Sequence, residues 1–313
     1  MTLLYTSPLF LEHRTGHHPE TAERLRRITQ QLAEAGLEAQ CQRPVVPPVI
    51  PARLGLVHSL DYVREVAEFA QRGGGYIEAD TVLCPRSYEV ALHAAGAVCD
   101  AVERVVRGPD PHALCLVRPP GHHALEKSAM GFCLFNNIAI GARVAHRELG
   151  LERVLIVDWD VHHGNGTQDM FWEDPAIAFL SIHRYPFYPG TGAADETGGG
   201  AGRGTTRNLP IKYGTPRADY LRRFTSELEA FADQIKPQLV LISAGFDAHR
   251  LDPVGSLDLE DEDFVTLSRI VLNIANTHAQ GRVVSVLEGG YNVDVLGRCV
   301  ELHLRELLGP GAA

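Results

Sequence analysis

The 313-residue chain lacks most of the features that would place it at once. Its six cysteines, at positions 41, 84, 99, 115, 133 and 299, include no C-x-x-C pair. In a chain this long that argues against a disulfide framework and for reduced thiols in the cytoplasm. No apolar run approaches the roughly 20 residues of a membrane span, so none is expected. The opening MTLLYTSPLFLEH has no basic n-region followed by a long apolar h-region, and no signal peptide is expected. Positive charge is in deficit, with 29 Lys and Arg against 39 Asp and Glu, a net charge of −10. That balance argues against a general nucleic-acid or acidic-membrane binder, although a basic substrate would suit it. There is no internal repeat and no G-x-S-x-G nucleophile elbow. The glycine run Gly198–Gly204 neither follows a clear strand nor opens a helix, so it reads as a mobile surface loop and not a phosphate cradle.

What is present is a large apolar fraction, 45%, enough for a sizeable core. Five short runs, His112–Val117, Val154–Val157, Ala178–Ile182, Leu239–Ile242 and Val283–Leu287, are apolar on both faces. Parallel strands covered on both sides by helices have this pattern. Between them, helical periodicity predicts helices over Glu23–Ala35, Ser59–Arg72, Ser87–Arg107, Asn137–Leu149, Arg217–Ile235 and Asp263–Ala279. The alternation predicts one α/β domain over residues 1–313, doubly wound, with long loops.

Open α/β sheets bind ligands beyond the carboxyl ends of their strands. Four predicted strands run into RPPGHHA, DWDVHHGNG, SAGFDAH and EGGY. Asp160 and His162, two residues apart, would face the same side of an extended segment. With Asp247 they make a two-carboxylate, one-imidazole set suited to a catalytic divalent metal with open positions. The plainer reading of Asp160 is a partner for an arginine or a helix cap. His122 and His123 follow the rigid Pro119-Pro120-Gly121 turn and suggest proton transfer, with Asp158 and Asn165 available to fix their tautomers. Without that company they would be ordinary loop histidines. Tyr291, after the flexible pair Gly289-Gly290, could offer an O–H to an oxyanion, or simply pack as an aromatic. Cys133 in GFCLFNN is expected to be buried and inert. Metal-activated water, a histidine base and a tyrosine donor together describe an amide or ester hydrolase.

These blocks, with GFCLFNN, SIHRYPFYPGTG, DPVG and LEGGYN, run in order from Arg118 to Asn292 and closely resemble the histone deacetylase superfamily. HHPETAERL near the start resembles its N-terminal element, so nearly the whole chain is covered. The resemblance implies an arginase-like α/β fold with a central parallel sheet of about eight strands, and removal of acetyl groups from lysine-type amines. It implies Zn2+ on Asp160, His162 and Asp247, with Fe2+ as an alternative because two carboxylates are hard ligands. His122 matches the charge-stabilising histidine with Asp158 as its partner, His123 the general base, and Tyr291 the oxyanion donor. Asn165, where some branches carry Asp, resembles the class II branch. Gly131 and Phe132 match one tunnel wall, Tyr188 the opposite aromatic, and a K+ ion is implied near Asp158, Asp160, His162, Ser181 and Ile182. Val254 stands where polyamine-selective relatives place an acid, which favours acetyl-lysine in peptides or proteins over acetylated polyamines. Asp80 is either a holder of a peptide backbone at the rim or an ordinary loop aspartate, and His163 a support for the loop. A two-metal ureohydrolase and a catalytically silent binding module are the competing readings.

Overall fold

The computed structural model describes residues 1–309. Ten strands occur in it: β1 (Thr2–Tyr5), β2 (Cys41–Gln42), β3 (Gly75–Glu78), β4 (Thr81–Leu83), β5 (His112–Cys115), β6 (Val154–Asp158), β7 (Ile177–Arg184), β8 (Thr206–Ile211), β9 (Leu239–Ala244) and β10 (Val283–Leu287). All but β3 and β4 join one sheet of eight strands in the order β2-β1-β5-β10-β9-β6-β7-β8, every pair parallel. β3 and β4 form a separate antiparallel hairpin.

Nine α-helices connect the strands among the described residues: α1 (Ala22–Glu34), α2 (Pro51–Leu54), α3 (Leu60–Gln71), α4 (Ser87–Arg107), α5 (Asn137–Arg147), α6 (Asn165–Phe171), α7 (Arg217–Ile235), α8 (Asp261–His278) and α9 (Val293–Leu308). They lie in two rows, α1-α9-α8-α7 and α3-α4-α5-α6, neighbours packing on neighbours within each row and both rows packing on the sheet. The central strands β6, β9 and β10 are therefore buried at every residue, as their unbroken apolar runs require. The molecule is a single α/β domain.

The predicted strands and helices are all found, with ends shifted by a few residues. α8 begins two residues early, at Asp261, because Glu260 and Asp263 form a reciprocal capping box there. The sequence reading missed β1, β2, β8, the hairpin, α2, α6 and α9. β8 reads TRNLPI, whose Asn208 and Pro210 break the apolar pattern even though both lie in the strand. The glycine run is also more ordered than an open loop. Gly200–Gly202 make a 3-10 turn in which Gly202 is buried, and Gly199 and Gly202 pack so closely on Trp172 and Asp174 that a Cβ would overlap them.

Candidate active site

The four motif-bearing segments leave β5, β10, β9 and β6, which are four consecutive strands at the centre of the sheet. Their carboxyl ends meet at one place.

Asp160, His162 and Asp247 are all buried, and one donor atom from each lies within 4.8 Å of the others. They do not converge as an extended strand would arrange them. The chain bends at Asp160–His162, and the His162 amide folds back to donate to Asp160 Oδ1 at 2.9 Å. His162 Nδ1 then stands 3.0 Å from Asp160 Oδ1 and 3.2 Å from Asp247 Oδ2. The backbone fixes both carboxylates: Gly289 N–H donates to Asp160 Oδ2 at 2.8 Å, and Val161 N–H to Asp247 Oδ1 at 2.9 Å. Asp247 Oδ2, however, has no hydrogen-bond partner although it is fully buried. A buried carboxylate oxygen left without a partner is costly, and a cation at this point would satisfy it.

The charges agree with that demand. Burial, with the negative charge of Asp160 beside it, pushes Asp247 up to about 7. Burial works to lower His162, but the neighbouring carboxylates of Asp160 and Asp247 outweigh it and raise the imidazole to about 10. The donor set, the orphaned oxygen and the pull for positive charge all fit a divalent cation with Nδ1 as the imidazole ligand. Gly289 belongs to the same arrangement: a Cβ there would overlap both carboxylates. The glycine pair before Tyr291 thus serves close approach, and the expectation of a flexible pivot is corrected accordingly.

The two histidines after β5 are neighbours with opposite electrostatics. His122 Nδ1–H donates to Asp158 Oδ2 at 2.9 Å, whereas His123 Nδ1–H donates to Asn165 Oδ1 at 2.7 Å. Their rings lie 4.0 Å apart. Burial opposes charge on His122, but the carboxylates of Asp158 and Asp160 overcome it and raise the group to about 10. His123 has burial and two neighbouring imidazoles against it and only a carboxamide for a partner, so it is held well below the ordinary range. A carboxylate behind one ring and an amide behind the other make one a cation and its neighbour neutral.

Tyr291, His123 and His162 line a cavity of about 220 Å³ whose walls include Phe132, Phe187, Tyr188 and Val254. Wider surface hollows of about 710 Å³, beside Trp172 and beside Arg222, are lined by charged surface residues and hold none of these groups. Tyr188 stands edge-on to His123 at 5.3 Å, and Phe132 edge-on to Tyr291 at 5.7 Å. Phe187, which the sequence reading passed over in favour of Tyr188, stacks on the His162 ring at 5.3 Å. Burial raises the Tyr291 phenol well above its ordinary value, so it remains an O–H donor. Gly131 and Asp80 complete the lining. Asp80, in the β3–β4 turn, accepts from Gly131 N–H through Oδ1 and from the Tyr188 hydroxyl through Oδ2, each at 3.0 Å. One carboxylate thereby joins opposite walls. His163 lies outside the cavity lining, its Nδ1 against Thr191 Oγ1 at 2.8 Å and its Nε2 against Gln168 Oε1 at 3.1 Å.

A family model described as "Histone deacetylase domain" matches residues 18–307. The chain belongs to the histone deacetylase family. Among curated members of this family, it is 36% identical to a histone deacetylase-like amidohydrolase of Pseudomonas aeruginosa, over 95% of this chain and 78% of that protein. It is 40% identical to the human polyamine deacetylase HDAC10, over 94% of this chain but 45% of that longer protein. The crystal structure of the HDA15 HD domain superposes with a TM-score of 0.93 at 35% identity, covering all of this chain and 89% of that one.

Two further residues that sequence reasoning left without a role, Glu288 and Arg24, are fully buried charges that hold backbone. Glu288, in LEGGY, accepts from Gly121 N–H at 2.7 Å and His122 N–H at 3.2 Å, and from Ser243 Oγ at 3.2 Å, bracing the histidine turn. Arg24 donates through Nε to Gly290 O at 2.6 Å and through Nη2 to Glu288 O, while its guanidinium lies 5.1 Å from the centre of the Tyr291 ring. For Glu288 the signal was a charge inside an apolar motif. The sequence alone does not say which backbone such a charge reaches.

Proposed function

We propose that this deacetylase-family protein hydrolyses acetylated lysine-type amines with one divalent metal, Zn2+ or Fe2+, held by Asp160, His162 and Asp247. The observation that carries the reading is the buried Asp247 Oδ2, which has no hydrogen-bond partner and lies beside His162, a residue of the apolar cavity's lining. A cation bound there would supply Lewis-acid activation of water and of the amide carbonyl near neutral pH.

The chain's own groups do the rest. His123, neutral and oriented by Asn165, takes a proton from the attacking water and delivers it to the departing amine nitrogen. His122, cationic because Asp158 backs it, places positive charge beside the reacting centre. The Tyr291 O–H donates to the oxygen that becomes anionic as the carbonyl carbon turns tetrahedral. Phe132, Phe187 and Tyr188 exclude water and grip the alkyl chain. A K+ ion near Asp158, Asp160, His162, Ser181 and Ile182 belongs to the same proposal, supported by Asp158 facing Ser181 across the β6–β7 pair. The six unpaired cysteines suit a reducing compartment such as the cytoplasm.

A second ion, as in a two-metal ureohydrolase, would need His163 and Asn165, which are already engaged with Thr191, Gln168 and His123. A silent binding module would have no reason to keep all three ligands, both histidines and the tyrosine. Metal bound per chain, measured together with acetyl-lysine turnover, decides among these: full turnover by a verified metal-free preparation would end the proposal.

For substrate we favour acetyl-lysine in peptides or proteins, because Val254 at the cavity wall offers no charge to a polyamine ammonium. The polyamine alternative draws on the human relative's name. Comparing kcat/KM for an acetyl-lysine peptide and for acetylspermidine tests the choice. A tenfold preference for the polyamine, about 1.4 kcal/mol, would reverse it.

A further inference from the structure

The peptide joining Gly290 to Tyr291 is held from both sides by charged side chains. On its carbonyl side Arg24 Nε donates to Gly290 O at 2.6 Å. On its amide side Tyr291 N–H donates to Asp252 Oδ2 at 2.7 Å, and the Asn292 amide reaches the same oxygen at 3.3 Å. The other oxygen of Asp252 accepts from Val254 N–H at 2.9 Å and Gly255 N–H at 3.0 Å. Asp252 is 8% exposed, and the chemistry above gives it no part.

Four backbone donors on one carboxylate tie the loop after β9 to the loop after β10. The Val254 side of that tie is a wall of the cavity, and the Tyr291 side carries the hydroxyl. Behind Tyr291 the chain enters α9 at once, with Asn292 as N-cap accepting from Val295 N–H at 3.3 Å. In front of it Gly289 N–H is held by Asp160 and Gly290 O by Arg24, so the Tyr291 amide is the next backbone group to be fixed. The carboxylate of Asp252 therefore fixes where residue 291 stands relative to the wall the substrate must pass.

We propose that Asp252 is a positioning residue that holds Tyr291 at oxyanion distance by clamping its amide. The proposal rests on the reading of Tyr291 as the oxyanion donor. Its physical basis is the steep dependence of rate on placement, where about 1 Å of error costs on the order of 100-fold. Asp252→Asn is the informative variant, because an amide, turned either way, presents N–H groups to two of the four backbone donors.

The experiment is a double-mutant cycle on the metal-loaded protein with an acetyl-lysine peptide: Asp252→Asn, Tyr291→Phe and both together, with bound metal and Tm recorded for each. Asp252→Asn alone should lower kcat by about 10- to 100-fold, with KM moving less and the metal retained. In the Tyr291→Phe background the same change should cost no more than about twofold, since the group it positions has gone. An equal loss in both backgrounds, with Tyr291→Phe itself impaired, would overturn the clamp and leave the role of Tyr291 standing. Undiminished kcat in Tyr291→Phe would overturn both. Should Asp252→Asn lose its metal or its fold, the cycle is repeated with Asp252→Glu, which keeps the charge and moves the oxygens. Failure of that chain to hold metal or to fold would also overturn the proposal, by making Asp252 a residue of the fold.

Discussion

Among the described residues two groups of metal-ligand side chains lie close together, and only one of them is short of partners. Asp160, His162 and Asp247 form the first, and His249, Asp261 and Cys299 the second, with His249 only two residues beyond Asp247. By residue type, the trio with the cysteine is the better zinc site. Its members are nevertheless satisfied by one another and by their neighbours. His249 Nε2 lies 3.2 Å from Asp261 Oδ1, which also accepts from Cys299 Sγ at 3.5 Å, while Arg298 Nε donates to Asp261 Oδ2 at 2.9 Å. The decisive bond is on the far side of the ring, where His249 Nδ1 accepts the Leu251 N–H at 3.1 Å. With Nδ1 an acceptor, the proton of the neutral imidazole resides on Nε2, the atom a metal would need. Ligating histidines show the reverse, donating from the second nitrogen. Burial also pushes the Cys299 thiol up, away from the thiolate that binds metal. Ligand chemistry nominates both groups, but unspent bonding capacity selects the first.

That contrast is sharpest in the ligands themselves. Asp247→Ala should strip the metal and lower kcat by about 1,000-fold or more, the several kcal/mol of Lewis-acid stabilisation. Measured metal content should fall in parallel. Activity surviving with no metal would erase the distinction between the groups.

Next in size is the paired imidazole. His123→Ala should cost about 100- to 10,000-fold in kcat, as loss of a general base does. Asn165→Ala should cost less, because the proton carrier survives and loses only its orientation. Steady-state rates that reverse this order would mean that His122 carries the proton. Tyr291→Phe should cost about 100- to 1,000-fold in kcat with the metal content unchanged, which separates the oxyanion donor from the ligands.

The smallest effect belongs to the second group. Cys299→Ser keeps a donor for Asp261 and should change kcat by less than about twofold, with a stability loss within about 1 kcal/mol. Metal stoichiometry should stay at one per chain. A fall in stoichiometry in this variant would show that His249, Asp261 and Cys299 bind metal after all.

The same contrast explains what could be read in advance. VLIVD and VVSVL announce buried parallel strands by composition, and α4 and α7 occupy the spans predicted for them because their apolar stripes end at breakers, Gly108 after one and Pro237 just beyond the other. Asp160, His162 and Asp247 were legible as candidates because they follow closely on the ends of β6 and β9. α9 was not read, although its stripe of Val295, Leu296, Val300 and Leu304 is regular, because Gly297 and the buried His303 interrupt it. Glu288 and Asp252 were in view as letters without a use. Their work is to hold backbone N–H groups from distant loops, and the direction of an N–H is a property of the folded chain alone. For the same reason nothing in the sequence says that Asp247 keeps one oxygen without a hydrogen-bond donor while His249, two residues on, has both nitrogens engaged.

The place of β10 in the sheet has a consequence for how the molecule is joined. Among the described strands it comes last in the chain, yet it lies between β5 and β9. Without it the sheet would divide into β2-β1-β5 and β9-β6-β7-β8, with the histidine turn on one part and the proposed metal ligands on the other. β10 is thus the splice between two halves, and the loop that follows it sets Gly289 against Asp160. A chain deprived of that one strand would carry the motifs without the means to bring them together.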